Sequence, residues 1–598
     1  MSQDAVDHGL ELGISDAQND GGMDEPEAPA VQDEIPAPAI HDEIVVQPLP
    51  RPPSSLPTQT RINGKPRRSN RRARRQIARA FMATLKGNWK WPKNHQEAME
   101  AEDAKQWEIA MTKEYDSIMK NETWTLVPRP TDAKVVKSRW VLRTKDNGLY
   151  KARFCAKGFT QRWGEDYDET FAPVAKYTSI RTLLAVLAGR KNTTIHQMDV
   201  NTAFLYSPLD ETVYVEQPEG FAAPGKEDHV CLLQKALYGL KQSPRPWFHV
   251  IAEALVDFDF QQSTSDPCIW IHENGGKRIY IALYVDDLII AGDNDEDIVT
   301  IKQRLSERFE MKDLGIARKF LGMEIEYGSD GSIKIHQNQY VQQLLDRHGM
   351  GECNPVATPL DTSVKLTSIT AKEAPADPQE YARIVGGLTF ASCVTRPDIA
   401  CAVGQLSQFL HKPSSAHMHA AKRVLRYLQG TSSLGITYRP PPLRLQGYSD
   451  ANWASDMDTR RSTTGYIVML NNGAIAWKSR RQPTVALSTM ESEYMALTDA
   501  TKELKWVRTL LAEWSYSNGK LPTDLFSDNQ GAIALTKNPV SHSRAKHIDI
   551  RHHFVREAIQ DQIIWVQYIP TAEMTADSLT KALGREKHEK CTARMGMS

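Results

Sequence analysis

The chain has 598 residues, 40% hydrophobic and 25% charged, with a formal net charge of −1, so several globular domains with large cores are allowed. Seven cysteines without a C-x-x-C pair argue against a disulfide framework or a zinc ribbon and fit a reducing compartment. No apolar run reaches the length of a membrane span and the acidic start is unlike a signal peptide, so a soluble intracellular protein is expected.

The first fifty residues lack Lys and Arg, are rich in Asp and Glu, and repeat Pro, as in DEPEAPAVQDEIPAPAI. Such a segment cannot bury enough apolar surface to fold. At Arg51 the sign reverses, and RINGKPRRSNRRARRQIARA is densely basic, with no acid before Glu97. It reads either as a nucleic-acid arm or nuclear-import signal, or as a solvated linker. Order is expected from near Trp89. Trp107, Ile109, Met111, Tyr115, Ile118 and Met119 recur at helical spacing between His95 and Asn121. Strands are expected at 123–127, 135–143 and 150–156. Helices and strands then mix without regular βαβ alternation, an α+β pattern. A helical stretch from Pro375 to Gly430 leads to Pro440, Pro441 and Pro442, the clearest domain boundary. Beyond it, strands are expected at 445–449 and 464–470 and a helix from Thr489 to Trp514. There is no solenoid repeat.

The stretch ALYVDDLIIAGDN (282–294) sets Asp286 and Asp287 between two apolar, strand-like runs. Asp is common in turns, so a hairpin turn accounts for the doublet. A two-residue hairpin turn favours Gly or Asn where φ is positive, however, and neither is present. Two like charges on rigid strands repel unless a cation lies between them, so a divalent-metal site is the sharper reading. Asp199, in TIHQMDVNTAFLYSPL, follows a short alternating run and is either a helix cap or a third ligand. Three carboxylates suit two Mg²⁺ ions bridging a nucleotide's phosphates, because such ions take hard oxygen ligands. After the prolines comes a second set: Asp450 in QGYSDANWASD, Glu491 and Glu493 in STMESEYMAL, Asp528 in DLFSDNQGAI and Asp577 in IPTAEMTADSLTKAL. Each alone reads equally as a cap or a surface charge.

QMDVNTAFL, YVDD and ALYGLKQSPRPWF (236–248) resemble the polymerase motifs of copia-type LTR-retrotransposon Pol polyproteins. So do KARFCAKGFTQRWGEDYDETFAPV (151–174), VYVEQPEGF (213–221) and FLGMEI (320–325), and the resemblance runs from about residue 95 to the end. It implies an α+β multidomain fold, a right-hand polymerase of fingers, palm and thumb followed by a ribonuclease H-like domain. The expected domains are a disordered acidic then basic segment at 1–85, the polymerase at 86–355 and a helical connection at 356–442. The ribonuclease H-like domain follows at 443–585, with a tail at 586–598. By the same resemblance Asp199, Asp286 and Asp287 are metal-binding catalytic aspartates, and Phe204 is the aromatic gate beside the incoming sugar. Gly239, Lys241 and Gln242 fall in the motif that packs on the nascent base pair and template. Lys151 and Arg153 lie in the fingers motif whose basic groups hold the triphosphate. Gly322 and Met323 match the primer-grip region, or equally a core hairpin. RTKDNGLYKAR has a shorter connection than in many relatives, a departure at the fingertip. Asp450, Glu493, Asp528 and Asp577 resemble the four acids of ribonuclease H, with Glu493 favoured over Glu491, the helix-start acid.

The implied enzyme is an RNA-directed and DNA-directed DNA polymerase that also cleaves the RNA of an RNA–DNA hybrid, with two Mg²⁺ ions, or Mn²⁺, per active site. Its implied partners are an RNA template, a DNA primer, deoxynucleoside triphosphates, the RNA–DNA hybrid and retroelement particle proteins, with no membrane. Basic surface such as KSRRQ (478–482) is expected to hold phosphates. The expected location is cytoplasmic and particle-associated, or nuclear through the basic segment. The rival reading is a catalytically silent or domesticated fragment that only binds nucleic acid. No protease D-[ST]-G motif, integrase head or zinc knuckle is found, so the chain reads as a processed product or a fragment of a longer polyprotein. His542, His547, His552 and His553 cluster without zinc-finger spacing and are expected to be structural or hybrid-facing. Trp140, Trp247, Trp453 and Trp477 are expected in the core.

Overall fold

The computed structural model describes residues 91–144, 148–190, 193–370, 373–440, 443–516, 521–537 and 549–598, excepting the side chains of 549–552. The disorder expected at 1–85, the basic run at 61–80, His542, His547 and the His552 side chain lie outside the described residues.

Asn94 starts α1 (His95–Met99) by accepting a hydrogen bond from the Glu97 N–H. The sequence suggests one continuous helix here, but the chain breaks at 100–103 before α2 (Ala104–Lys120). Trp107, Met111 and Ile118 form the buried stripe of α2, which leaves Ile109 56% and Met119 46% exposed on its other side. Four strands follow: β1 (Trp124–Val127), β2 (Val135–Val136), β3 (Ser138–Thr144) and β4 (Tyr150–Ala156). The single strand expected at 135–143 divides after Val136, because Ser138 onward pairs with β4 as a separate hairpin.

α3 (Tyr177–Leu187) and β5 (Thr194–Val200) open the palm, and β6 (Tyr214–Val215) and β7 (Val230–Leu233) complete the fingers sheet in the order β1-β7-β6-β2. α4 (Pro244–Asp257) precedes β8 (Gln261–Gln262), β9 (Ile269–Asn274), β10 (Lys277–Tyr284) and β11 (Asp287–Gly292). α5 (Asp295–Arg308) and β12 (Met311–Ile316) close a six-stranded sheet of order β12-β5-β11-β10-β9-β8. Successive β11 residues alternate between two cores. Leu288 and Ile290 join Trp247 and Leu255, while Ile289 and Ala291 join Ile180 and Leu184. Burial on both faces is why this strand reads LIIA, with no polar alternation.

β13 (Lys319–Phe320), β14 (Met323–Tyr327), β15 (Ile333–His336) and α6 (Asn338–Arg347) lead to three helices, α7 (Pro378–Val394), α8 (Ala400–Leu406) and α9 (Ser415–Gly430). β16 (Ile436–Tyr438) then returns to pair with β15. β17 (Gln446–Asn452), β18 (Thr463–Leu470) and β19 (Gly473–Arg481) form an antiparallel meander. α10 (Thr489–Glu513) crosses to β20 (Thr523–Ser527), which is parallel to β17. After α11 (Gln530–Lys537) and α12 (Asp549–Gln560), β21 (Ile564–Tyr568) adds in parallel to β20, and α13 (Arg585–Arg594) ends the fold. The sheet of order β19-β18-β17-β20-β21 joins an antiparallel meander to two parallel strands, and the α+β class expected from the sequence is observed. All seven cysteines are free thiols. Among the described residues no helix is long and apolar enough to cross a membrane.

One buried charge joins these parts. Arg181, on α3, donates from Nε to Ile475 O of β19 (2.7 Å) and from Nη1 to Cys393 O (2.9 Å) and Val394 O (2.8 Å) at the end of α7. Its guanidinium lies 4.0 Å from the centre of the Trp477 ring. Burial lowers its pKa from the ordinary arginine value, and the carbonyl dipoles of a helix end compensate the charge. Arg181→Met strands three carbonyls, those of Ile475 and Val394 buried and that of Cys393 partly so, and the expected loss is about 3 kcal/mol. Denaturant unfolding followed by tryptophan fluorescence should show palm and C-terminal sheet losing stability together. Unchanged unfolding would mean that the joint bears no load.

Candidate active sites

Tyr284 pairs with Asp287 across β10 and β11, so Val285 and Asp286 are the two-residue turn between them. Val285 adopts φ +59, the position where a hairpin turn of this kind wants Gly. A β-branched residue there is strained by about 1–3 kcal/mol. Only Asp286 of the doublet lies in the turn, behind a residue that turns disfavour, and Asp287 is the first residue of β11. Two bonds hold it: the Trp247 indole N–H donates to Val285 O (2.6 Å), and the Val200 N–H donates to Asp286 O (2.8 Å).

Asp287 lies opposite Asp199 in the β11–β5 ladder, which brings all three aspartates to one end of the palm sheet. Burial, then the Asp286 and Asp199 charges, push the Asp287 carboxyl up to about 6, against Gln197 and Arg153. Arg153, on β4, sets its guanidinium 3.6 Å from Asp286 Oδ2 and 4.7 Å from the centre of the Tyr238 ring. The Tyr238 ring meets Phe204 edge-on at 4.7 Å, and Phe204 itself is 8% exposed at the margin of the core. Lys151 shares the β4 face of Arg153, two residues away. Gly239 has φ +95, and a Cβ there would lie 2.2 Å from Ala156 O, so only glycine lets this segment close on β4. Lys241 donates to Gln161 O and the Tyr167 hydroxyl, and Gln242 is buried, donating to Asp166 O. Both side chains thus shape the segment from within. Gly322, at φ +80, closes on the Phe390 ring, and Met323 is fully buried.

The second set assembles on the C-terminal sheet. Asp450 comes from within β17, Asp528 follows β20, Asp577 lies in the short helix Thr575–Leu579, and Glu493 is on the first turns of α10. Among the described residues, Asp450, Asp528 and Asp577 are the group whose ligand oxygens all lie within 4.8 Å of one another; the palm aspartates are not so tightly gathered. Glu493 is buried, and its Oε2 has no hydrogen-bond partner. Burial first, then neighbouring carboxylates, raise both Asp450 and Glu493 well above the usual carboxylate range. An orphaned carboxylate oxygen beside three converging acids fits hard divalent cations. Glu491 instead caps α10, accepting from the Leu487 N–H while Ser488 Oγ accepts from the Glu491 N–H. Around the acids, Lys581 Nζ lies 2.7 Å from Asp577 Oδ1 and 3.6 Å from Asp450 Oδ2. Lys587 pairs with Asp577 Oδ2, and the Thr580 hydroxyl donates to Asp450.

Tyr238, Trp247, Thr580, Lys581 and Lys587 were not singled out as site residues from sequence. The first two stand inside ALYGLKQSPRPWF and the next two lie three and four residues after Asp577 inside IPTAEMTADSLTKAL, so proximity to the motifs is the available signal. Elsewhere, Arg480 and Arg481 of KSRRQ are engaged by Asp499 and Asp456, and Gln482 is buried, which leaves less free basic surface there than expected. Trp453 is 44% exposed, contrary to the core placement expected, although its indole N–H is anchored on the carbonyl of buried Ala486. Trp140 is buried and Trp477 half-buried.

A family model described as reverse transcriptase (RNA-dependent DNA polymerase) matches residues 121–362. The retrovirus-related Pol polyprotein from transposon TNT 1-94 of Nicotiana tabacum is 40% identical over 521 residues, 85% of this chain and 39% of its own length. The putative transposon Ty5-1 protein of Saccharomyces cerevisiae is 35% identical over 309 residues, 51% of this chain and 100% of its own length. A solved structure, the foamy viral protease-reverse transcriptase dRH in complex with ds DNA, aligns with a TM-score of 0.45 and 12% identity, covering 86% of this chain and 84% of that one. The chain spans 34–39% of the plant polyproteins it matches. Matched over the whole of one relative and over the polymerase motifs by the family model, the chain belongs to the copia-type retrotransposon Pol family.

Proposed function

We propose that the chain is an RNA-directed and DNA-directed DNA polymerase whose second site cuts the RNA strand of an RNA–DNA hybrid. The observation that carries this reading is the convergence of Asp199, Asp286 and Asp287 at one sheet end beside Arg153, whose guanidinium also lies over the Tyr238 ring that Phe204 meets. Divalent cations held there, and by Asp450, Glu493, Asp528 and Asp577, would supply Lewis-acid activation of the attacking oxygen and charge for the leaving group. Mg²⁺ is the proposed ion, two per site, with Mn²⁺ as a substitute. Arg153 is placed to exchange its contact with Asp286 for a triphosphate oxygen, a charge-assisted pairing suited to guanidinium. Phe204, propped by Tyr238, would stand under the sugar. Both sites would grip one duplex by backbone and 2′-hydroxyl contacts rather than base sequence. The proposed partners are an RNA template, a DNA primer, deoxynucleoside triphosphates and the hybrid, in a cytoplasmic particle or, after import, the nucleus.

Outer-shell groups at metal sites are worth 10–100-fold, so Asp286→Asn, which removes a ligand, should lower primer extension roughly 100-fold or more. Hybrid cleavage by the same variant should persist. Glu493→Gln should do the reverse, leaving full-length RNA beside new DNA on a gel. If Asp286→Asn extends primers at the wild-type rate, the assignment of the palm site is wrong.

Asp287, Asp450 and Glu493 bind protons more tightly in the folded state than unfolded carboxylates do. Their stabilising protons are therefore present at low pH and lost as pH rises from about 4 upward, through about 6 for Asp287 and higher for the other two. In chelator, the thermal midpoint should fall across this window. Mg²⁺ should raise the midpoint near pH 8, and Glu493→Gln should flatten the profile. A midpoint indifferent to Mg²⁺ at that pH would refute ion binding.

A ribose 2′-hydroxyl placed against Phe204 would lose hydration without gaining a partner, at about 1–3 kcal/mol. Phe204→Val should accordingly raise ribonucleotide incorporation relative to deoxynucleotide about tenfold or more. Measured efficiencies for a matched pair decide it, and an unaltered ratio removes the gate.

A further inference from the structure

We propose that Trp247 is a positioning residue of the polymerase site: its indole N–H holds the Val285–Asp286 turn in its left-handed conformation and thereby aims the Asp286 carboxylate. The inference rests on the polymerase reading above. Trp247 stands on the first turn of α4, 1% exposed, and its ring is clamped by Phe309 edge-on at 5.5 Å and by Tyr206 at 6.3 Å. Tyr206 is fixed in turn, since its hydroxyl accepts from the Glu310 N–H (2.7 Å). The indole orientation is therefore set before it meets the turn. Any large aromatic would fill this part of the core. Packing does not account for a donor aimed at the carbonyl of a β-branched turn residue with φ +59.

An indole N–H only donates, and a buried donor without an acceptor is unfavourable. If Val285 relaxed to negative φ, its carbonyl would rotate away and strand the Trp247 N–H. The bond and the strain are thus coupled: one persists only with the other. The Val200 N–H pins the next carbonyl, that of Asp286, from β5, the strand that carries Asp199. With both peptide planes held, the Asp286 Cα–Cβ bond has a fixed direction, and its carboxylate lies 3.6 Å from the Arg153 guanidinium and close enough to Asp287 to raise its pKa. The segment Gly239–Gln242 enters α4 only a few residues before Trp247, so the base-pair-packing segment and the catalytic turn share one mount.

The test is Trp247→Phe in the full chain, which keeps an aromatic ring and removes the N–H. Three measurements are made: hydrogen exchange of the peptide spanning 283–290 in chelator, single-nucleotide addition across a Mg²⁺ titration, and the thermal midpoint. Exchange at the turn should accelerate several-fold, with peptides of the C-terminal sheet unchanged. The maximal rate should fall about tenfold, a barrier raised by about 1.4 kcal/mol, and the half-saturating Mg²⁺ should rise. The KM for the nucleotide should move little. Asn tolerates left-handed φ far better than Val, so in a Val285→Asn background the effect of Trp247→Phe should shrink. Equal losses in both backgrounds, a rate loss no larger than the loss of folded protein, or unchanged turn exchange would each overturn the proposal. A wild-type chain that extends no primer would instead refute the polymerase reading itself.

Discussion

Arg181 is a full positive charge sealed inside the protein and balanced by main-chain oxygens at a helix end and on a strand. Such a group tolerates no loosening, because any gap leaves a guanidinium and three carbonyls without partners in a low-dielectric interior. It draws together α3 of the palm, the end of α7 and β19 of the C-terminal sheet, and the hydrophobic core is continuous across the same joint, from Ile180 and Leu184 to Ile467 and Val468. Asn471 Nδ2 donates to Ala185 O beside it, and Glu513 of α10 accepts from the hydroxyls of Ser263, Thr264 and Ser265 at the palm edge. A second buried pair, Arg396 with Asp398, extends through Tyr427 to His588 and ties α9 to α13. The two carboxylate sites are consequently mounted on one frame rather than on tethered modules.

Much of this was legible in the sequence, for identifiable reasons. Strand runs at 150–156 and 464–470 emerge close to their observed limits, since β-branched and aromatic residues there have one sheet to join. The seven acids could be named only through the motifs that resemble a known family, since each alone reads equally as a cap or a surface charge; the structure gathers Asp450, Asp528 and Asp577 and sets Asp287 opposite Asp199. Glu493 is favoured over Glu491 in the sequence by the family resemblance alone, and the structure shows the physical difference: Glu491 turns back to the helix start at Ser488, whereas Glu493 is buried two residues further on. Ile109, Met119 and Trp453 escaped because apolar identity reports only what can be buried, whereas exposure is decided by neighbours. Gln242 escaped similarly, a polar residue consumed by Gln161 and Asp166, which are remote in sequence. Arg181 reads as an ordinary helix charge until its three distant acceptors are known.

The turn at Val285 illustrates how local preference and global need part company. Sequence rules favour Gly at this position, and Gly would relax it. Gly would also free the following aspartate to rotate, and a metal ligand gains from being held before the ion arrives. A strained residue restrained from both sides gives that rigidity, and the surrounding sheet, buried on both faces, is stable enough to bear it.

Charge follows the same logic at both sites. Neither carboxylate cluster stands bare: Arg153 lies against Asp286, and Lys581 and Lys587 lie against Asp450 and Asp577. These cations are long, flexible side chains with partly exposed heads, unlike the rigid acids they face. They lessen the repulsion among the acids, and Asp287, Asp450 and Glu493 still hold protons above the usual range. Burial is the first cause of that rise and the neighbouring acids come after it, and the built-in cations do not offset the two together. What remains is a negative potential that protons or hard cations must satisfy, concentrated at the ends of two sheets that one buried arginine holds together.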